Sequence, residues 1–142
     1  MAALQEPAVP LVVQREVDLD VDLAEAWRLI ATAEGWQEWM VDSADVEVAP
    51  GAAGAVVDDG ILWRVLVDEV GERSVRFVWS DEDGATSRVE LAVEATEDGR
   101  ARIRITEELP AAACAECPLR AADRWDLRAC LLCLRQQVAC RA

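Results

Sequence analysis

The chain has 142 residues and a net charge of −14, from 28 acidic and 14 basic side chains, and it contains no histidine. So acidic a surface repels phosphate backbones and anionic membranes, and we expect neither nucleic acid nor a membrane as partner. The lack of histidine excludes the usual general base, histidine-activated nucleophiles and imidazole metal sites.

The front of the chain predicts a strand followed by two short helices. Residues 1–13 hold two prolines and little periodicity, so we expect a flexible tail ahead of a single domain over residues 14–142. Apolar and acidic residues alternate over residues 14–22, which is typical of a half-buried strand. A helix over residues 23–32 follows, with Asp22 as its N-cap. Residues 33–39 form a second helix, which Gly35 is expected to weaken.

Strand patterns separated by glycine-containing turns occupy the middle of the chain. The predicted strands span residues 43–48, 55–57, 61–70, 75–79, 87–96 and 101–105. Short turns between consecutive strands require antiparallel pairing. Glu107 and Glu108 follow the last strand. Either could act as an acid or base if it pointed inward, but a solvated face is expected for both. Helices on one side of an antiparallel sheet make an α+β fold.

A long helix is predicted at the end of the chain, with Pro118 in its first turn and Cys117 as N-cap. At 100° per residue, three arginines share one face, which we interpret as the solvent side: Arg124, Arg128 and Arg135. The opposite face, expected to turn towards the sheet, carries Trp125, Ala129, Cys130, Cys133 and Cys140. A second apolar stripe is formed by Leu127, Leu131 and Val138. This stripe predicts contact with the short helices, a homodimer partner or another protein.

All five cysteines lie in this last stretch, in two CxxC pairs and one further position. Two such pairs can bind zinc, but Cys133 stands about 20 Å along the helix from its start. We therefore predict no metal and no cofactor. Cys114 and Cys117, ahead of the helix, are a possible redox pair. The N-terminus lacks the basic region of a secretory signal, which favours a cytoplasmic protein with reduced thiols.

Several segments together resemble the START/SRPBCC superfamily, the helix-grip fold of the birch pollen allergen. They are "DLAEAWRLI", "GWQEWM", "VDEVGERSVRFVWS", "SRVELAVEATEDGRARIRITEE" and the "RWD" of the final helix. Within the superfamily, the chain is similar to the bacterial branch resembling the C-terminal domain of the activator of the heat-shock-90 ATPase. The resemblance implies a curved antiparallel sheet of six to seven strands that grips the last helix, with a cavity for an apolar small molecule between them.

Six tryptophans against one phenylalanine suggest that aromatic side chains line this cavity. The candidate ligand-binding residues are Trp36, Trp39, Trp63, Phe77, Trp79, Leu91, Ile103, Trp125, Cys130 and Cys133. The function predicted is non-catalytic binding of an apolar or aromatic molecule, lipid- or polyketide-like, with no catalytic residue assigned.

Other functions stay open. The same cavity could serve a polyketide cyclase-like enzyme, which needs an inward acid or base, or a small-molecule resistance protein. The acidic surface also permits a chaperone-associated interaction module, and the cysteines permit a thiol redox or soft-metal sensor.

Overall fold

The computed structural model describes residues 11–110 and 117–141, the last seven of these by their backbone alone. Its elements are β1 (Leu11–Leu19), α1 (Leu23–Ala31), α2 (Ala33–Trp39), β2 (Ser43–Asp45), β3 (Ala53–Asp58), β4 (Ile61–Val70), β5 (Ser74–Ser80), β6 (Thr86–Ala95), β7 (Ala101–Leu109) and α3 (Cys117–Arg141). The predicted α+β class is confirmed. No helix in the described part of the chain is both long and apolar enough to cross a membrane.

The seven strands form one curved sheet in the order β1-β7-β6-β5-β4-β3-β2, with every neighbouring pair antiparallel. Strands β2 to β7 follow one another as a meander. The last strand, β7, then pairs with the first, β1, at the edge of the sheet. Alternate residues of β5, β6 and β7 are buried, because successive side chains of a strand point to opposite faces. One face therefore carries the core, and the other carries arginine–carboxylate pairs that cross from strand to strand.

The bounds of several strands differ from the prediction. β1 begins at Leu11, inside the predicted tail, because Leu11 pairs with Leu109 and Val13 with Glu107. β7 accordingly continues to Leu109, four residues past the predicted end. β2 ends at Asp45, three residues before its predicted end.

The corner between α1 and α2 depends on capping and on close backbone packing. The Asp22 carboxylate accepts the backbone N–H of Glu25 at 2.8 Å, which confirms the predicted cap. Thr32 caps α2 by accepting the N–H of Gly35 at 2.9 Å. A Cβ at Gly35 would lie 2.2 Å from the carbonyl oxygen of Arg28. The glycine expected to weaken α2 is thus the residue that lets the two helices meet.

Helix α3 lies against β1, β7 and α2. Over residues 117–134, where its side chains are described, the buried ones lie at helical spacing: Ala121, Trp125, Arg128 and Leu132. The predicted solvent face is therefore wrong: Arg128 is buried, and the Arg124 side chain is only 19% exposed. Arg135 has no described side chain. Arg124 and Arg128 do share one face of the helix, but this face turns towards Glu107 and Asp58 of the sheet.

The outward face of α3 is apolar instead. Four leucines of this helix are exposed: Leu119, Leu127, Leu131 and Leu134. Leu127 and Leu131 belong to the predicted second stripe, and both are exposed. The side chain of Val138, the third member, lies outside the described residues. A partner for this face stays a prediction.

Candidate functional site

A buried carboxylate stands at the centre of the space between the sheet and α3. Alternation along β7 places Glu107 on the same inward face as Ile103 and Ile105, and all three are fully buried. The expectation of a solvated face is correct for Glu108, which is exposed, and wrong for Glu107. The inward alternation of Ala101, Ile103 and Ile105, continued by two residues, predicts the inward position of Glu107.

Four donors from three elements surround the Glu107 carboxylate. Its Oε1 accepts the Nη2–H of Arg124 at 2.6 Å and the indole N–H of Trp125 at 3.0 Å. Its Oε2 accepts the indole N–H of Trp79 at 2.9 Å and the hydroxyl of Ser87 at 2.5 Å. A buried anion needs such compensation, because desolvation without partners is costly. Both oxygens are thereby occupied by groups of the protein itself.

The guanidinium of Arg124 is enclosed by aromatic rings. Its Cζ lies 4.9 Å from the ring centroid of Trp79, 5.4 Å from that of Trp63 and 5.7 Å from that of Trp125. These distances allow cation–π attraction to all three indoles. The Nε atom of Arg124 is buried and has no hydrogen-bond partner among the described residues.

The rings form a continuous row beneath α3. Trp79 stacks on Trp125, with centroids 5.8 Å apart and planes 18° apart, and Trp125 reaches Trp39 at 6.3 Å. On its other side Trp79 contacts Phe77 edge-on at 5.5 Å, and Phe77 meets Trp36 at 4.9 Å. These five rings are at most 1% exposed and belong to the core; the cavity predicted beside them stays a prediction.

Most indole N–H groups of this row are already engaged. Trp36 donates to the carbonyl of Ile30 at 2.7 Å, and Trp39 donates to that of Leu29 at 3.0 Å. These bonds tie both rings to the end of α1. Because the N–H groups of Trp79 and Trp125 serve Glu107, no donor of the four is left to orient a ligand.

Trp63 differs from the rest of the row. It lies on β4 with its centroid 4.9 Å from that of Trp79, yet it is only half-buried. Its indole makes no hydrogen bond within the described part of the chain. Trp63 therefore forms a branch of the aromatic row, attached at Trp79, whose ring is partly open to solvent.

The other predicted lining residues are divided between core and surface. Leu91 and Ile103 are fully buried in the core. Cys130 is exposed on α3, so its expected direction towards the sheet is wrong. Cys133 is half-buried, and the pKa of its thiol is raised by burial and by the nearby Cys130.

A second buried ion pair holds the next turn of α3. Arg128 pairs with Asp58, the inward residue at the end of β3, and reaches Asp42 at 3.2 Å. Asp42 also accepts the backbone N–H of Asp59 at 2.9 Å. Arg124 and Arg128 stand one turn apart, so α3 is anchored to both halves of the sheet by charge as well as by apolar packing.

Cys117, the first residue of α3 and not its N-cap, is disulfide-bonded. Cys114, the other member of the predicted redox pair, lies outside the described residues, and the pair stays a prediction. Cys130 and Cys133 are free thiols. Within the described ranges, no group of three or more potential ligands could hold a metal ion.

No protein-family model and no curated protein matches the sequence. Solved structures do match. DynU16, from the dynemicin biosynthetic locus, has a TM-score of 0.75 and 18% identity over 85% of this chain, which spans 45% of DynU16. Protein MLL2253 from Mesorhizobium loti has a TM-score of 0.77 and 18% identity, and the match covers 93% of this chain and 98% of that one. The chain has the helix-grip fold that the sequence predicts.

A third match, the Aha1 dimer from Colwellia psychrerythraea, agrees with the predicted likeness to the heat-shock-90 ATPase activator. Its TM-score is 0.66 at 11% identity, over 83% of this chain and 90% of that one. In this helix-grip chain, α3 is the gripped helix, and the cluster around Glu107 lies where it meets the sheet.

Proposed function

We propose that the protein binds an aromatic small molecule between α3 and strands β4 and β5, against Trp63. The half-buried Trp63, which branches from the aromatic row at Trp79, carries this proposal. A ligand ring that packs on Trp63 extends this branch at the spacing already present within it, 4.9 Å between the centroids of Trp63 and Trp79. Offset aromatic pairs contribute about 0.5–1.5 kcal/mol beyond the area they bury.

The geometry of the fold supports this place for the ligand. α3 runs close to β1 and β7, whereas it meets β4 and β5 through the side chains of Trp63, Trp79, Arg124 and Trp125. Side chains can rearrange to admit a ligand more easily than backbones in contact. The origin of DynU16 in a biosynthetic locus also agrees with a small-molecule function.

Binding is favoured over catalysis at this site. A cyclase-like enzyme needs an inward acid or base, and Glu107 is an inward carboxylate. Its four donors leave neither oxygen free to exchange a proton with a ligand. Mass spectrometry of ligand recovered after incubation would detect turnover and so favour the enzyme.

The experiment uses the chain labelled with 5-fluorotryptophan. Its six tryptophans provide six ¹⁹F resonances, each assigned by replacing one tryptophan with phenylalanine. We expect planar tricyclic aromatics to shift the signals of Trp63 and Trp79 and to leave that of Trp27 unchanged. Trp27 is the internal control, because it is half-buried on α1 and shares none of the ring contacts of the row. The proposal fails if no tricyclic shifts any resonance, or if Trp27 responds as strongly as Trp63.

A further inference from the structure

One buried donor in the site has no hydrogen-bond partner within the described residues. The Arg124 Nε is buried against the tryptophans, while Nη2 of the same guanidinium donates to Glu107 at 2.6 Å. Buried N–H groups in proteins are nearly always hydrogen-bonded, and an unmade bond to a charged group is costly. The four donors to Glu107 show that this site otherwise satisfies its polar groups, so the unused N–H marks a place for an acceptor from outside the chain.

This acceptor is close to the ligand position proposed above. The Cζ of Arg124 lies 5.4 Å from the Trp63 ring centroid, so an oxygen on the edge of a ring packed on Trp63 is within reach of the guanidinium. Of the three rings around it, Trp63 alone is half-buried. A shift of the Trp63 side chain is therefore the smallest movement that uncovers Nε.

Charge selects the kind of acceptor. Arg124 and Glu107 already neutralise each other in a direct ion pair. A carboxylate or phosphate on the ligand would place a second anion beside Glu107 without a further cation, and its desolvation would be uncompensated. The net charge of −14 opposes anionic ligands as well. A neutral carbonyl oxygen meets the need of Nε without this penalty.

Resting on the proposed function, we infer that the ligand class is neutral planar aromatic ketones or quinones, whose carbonyl oxygen accepts the Arg124 Nε–H while the ring packs on Trp63. Arg124 is thus a specificity-determining residue. Trp63 supplies affinity for any planar ring, and Arg124 distinguishes rings that carry a carbonyl from those that do not.

The test compares three probes that share one tricyclic ring system, by calorimetric titration of the full chain: fluorene, 9-fluorenone and fluorene-9-carboxylate. We expect fluorenone to bind about ten- to a hundredfold more tightly than fluorene, the range of one hydrogen bond to a charged group. The carboxylate should bind no more tightly than fluorene. In Arg124→Lys, which keeps the charge for Glu107 but has no Nε, the preference for fluorenone should fall to within about twofold.

Two controls separate the contributions. Arg64→Lys makes the same exchange on the exposed face of β4, next to Trp63, and should keep the full preference. Trp63→Leu should weaken fluorene and fluorenone alike, by about two- to tenfold, and leave their ratio unchanged. In the wild-type chain, fluorenone should shift the ¹H–¹⁵N signal of the Arg124 Nε–H and fluorene should not, a measurement that needs no variant to fold.

The outcomes are distinguishable. Equal affinity for fluorene and fluorenone, with the Arg124 Nε–H signal unmoved, overturns the inference and leaves the proposed binding function standing, since Nε is then served by solvent. Tighter binding of the carboxylate than of fluorenone also overturns it, in favour of an anion site. If none of the three probes binds, the proposed function fails with it.

Discussion

Glu107→Gln removes one negative charge from the centre of the molecule while keeping the size and shape of the side chain. In the wild-type chain both carboxylate oxygens accept two donors each. A glutamine has one oxygen, and its NH₂ group must face the other two donors. The hydroxyl of Ser87 can reverse and accept, but the N–H groups of Trp79, Trp125 and Arg124 cannot.

The expected loss of stability in Glu107→Gln follows from the burial of the ion pair between Glu107 and Arg124. The side chains of Glu107 and Arg124 are 1% and 19% exposed, so solvent screens their attraction weakly. Removing one member of a buried ion pair leaves the other charge uncompensated and costs about 3–5 kcal/mol. That is a large part of the ~5–15 kcal/mol that stabilises a typical domain. With a melting-temperature shift of about 3 °C per kcal/mol for a domain of this size, we expect a fall of about 10–15 °C.

The assay is urea unfolding followed by tryptophan fluorescence, with thermal melting by circular dichroism beside it. The matched control is Glu108→Gln, the same chemical change one residue along on the exposed side of β7, which should cost no more than about 0.5 kcal/mol. If the two variants unfold at the same urea concentration, Glu107 does not hold the site together in the way described.

The remaining predictions concern the helix corner and the free thiols. In the same urea assay, Gly35→Ala should lower the free energy of unfolding by about 1–3 kcal/mol, because the new methyl group meets backbone atoms that cannot move aside. The control is Gly71→Ala, where a Cβ would have a serine hydroxyl at 3.1 Å as its nearest neighbour. Its free energy of unfolding should be within about 0.5 kcal/mol of wild type. Equal losses for both would contradict the close helix contact. Because burial raises the pKa of Cys133, less of its thiol is ionised at a given pH, and iodoacetamide should alkylate it more slowly than the exposed Cys130 near pH 8. Raising the pH by about one unit should increase the alkylation rate of Cys133 by a larger factor than that of Cys130. Tandem mass spectrometry of the peptide that contains both cysteines measures the two rates. Equal factors for the two thiols would contradict the prediction.

Local patterns predicted the elements of the fold well. β4 spans residues 61–70 as predicted, because apolar alternation between two turns marks both of its ends. The N-cap of α1 at Asp22 was also predicted, since capping depends on a few neighbouring residues.

The polar part of the site was missed because its pairs join distant positions. Glu107 meets Arg124 across 17 residues, and Arg128 meets Asp58 across 70. A charged side chain is assigned to the surface by default, and only a partner brought in by the fold makes its burial favourable. Once the inward period of β7 is extended to Glu107 and that of β3 to Asp58, the two acids that draw the helix arginines inward become visible.

The sequence by itself determined the order of the strands and helices, their antiparallel pairing and the inward face of each strand, because these follow from alternation, turns and caps read over a few residues. The face that α3 turns to the sheet was decided only by the tertiary structure. Apolar side chains surround most of this helix, so apolar burial alone did not distinguish the possible orientations. The buried carboxylates of Glu107 and Asp58 decided the orientation, since each needed a cation as partner. Arg124 and Arg128, one turn apart on α3, supplied the two cations.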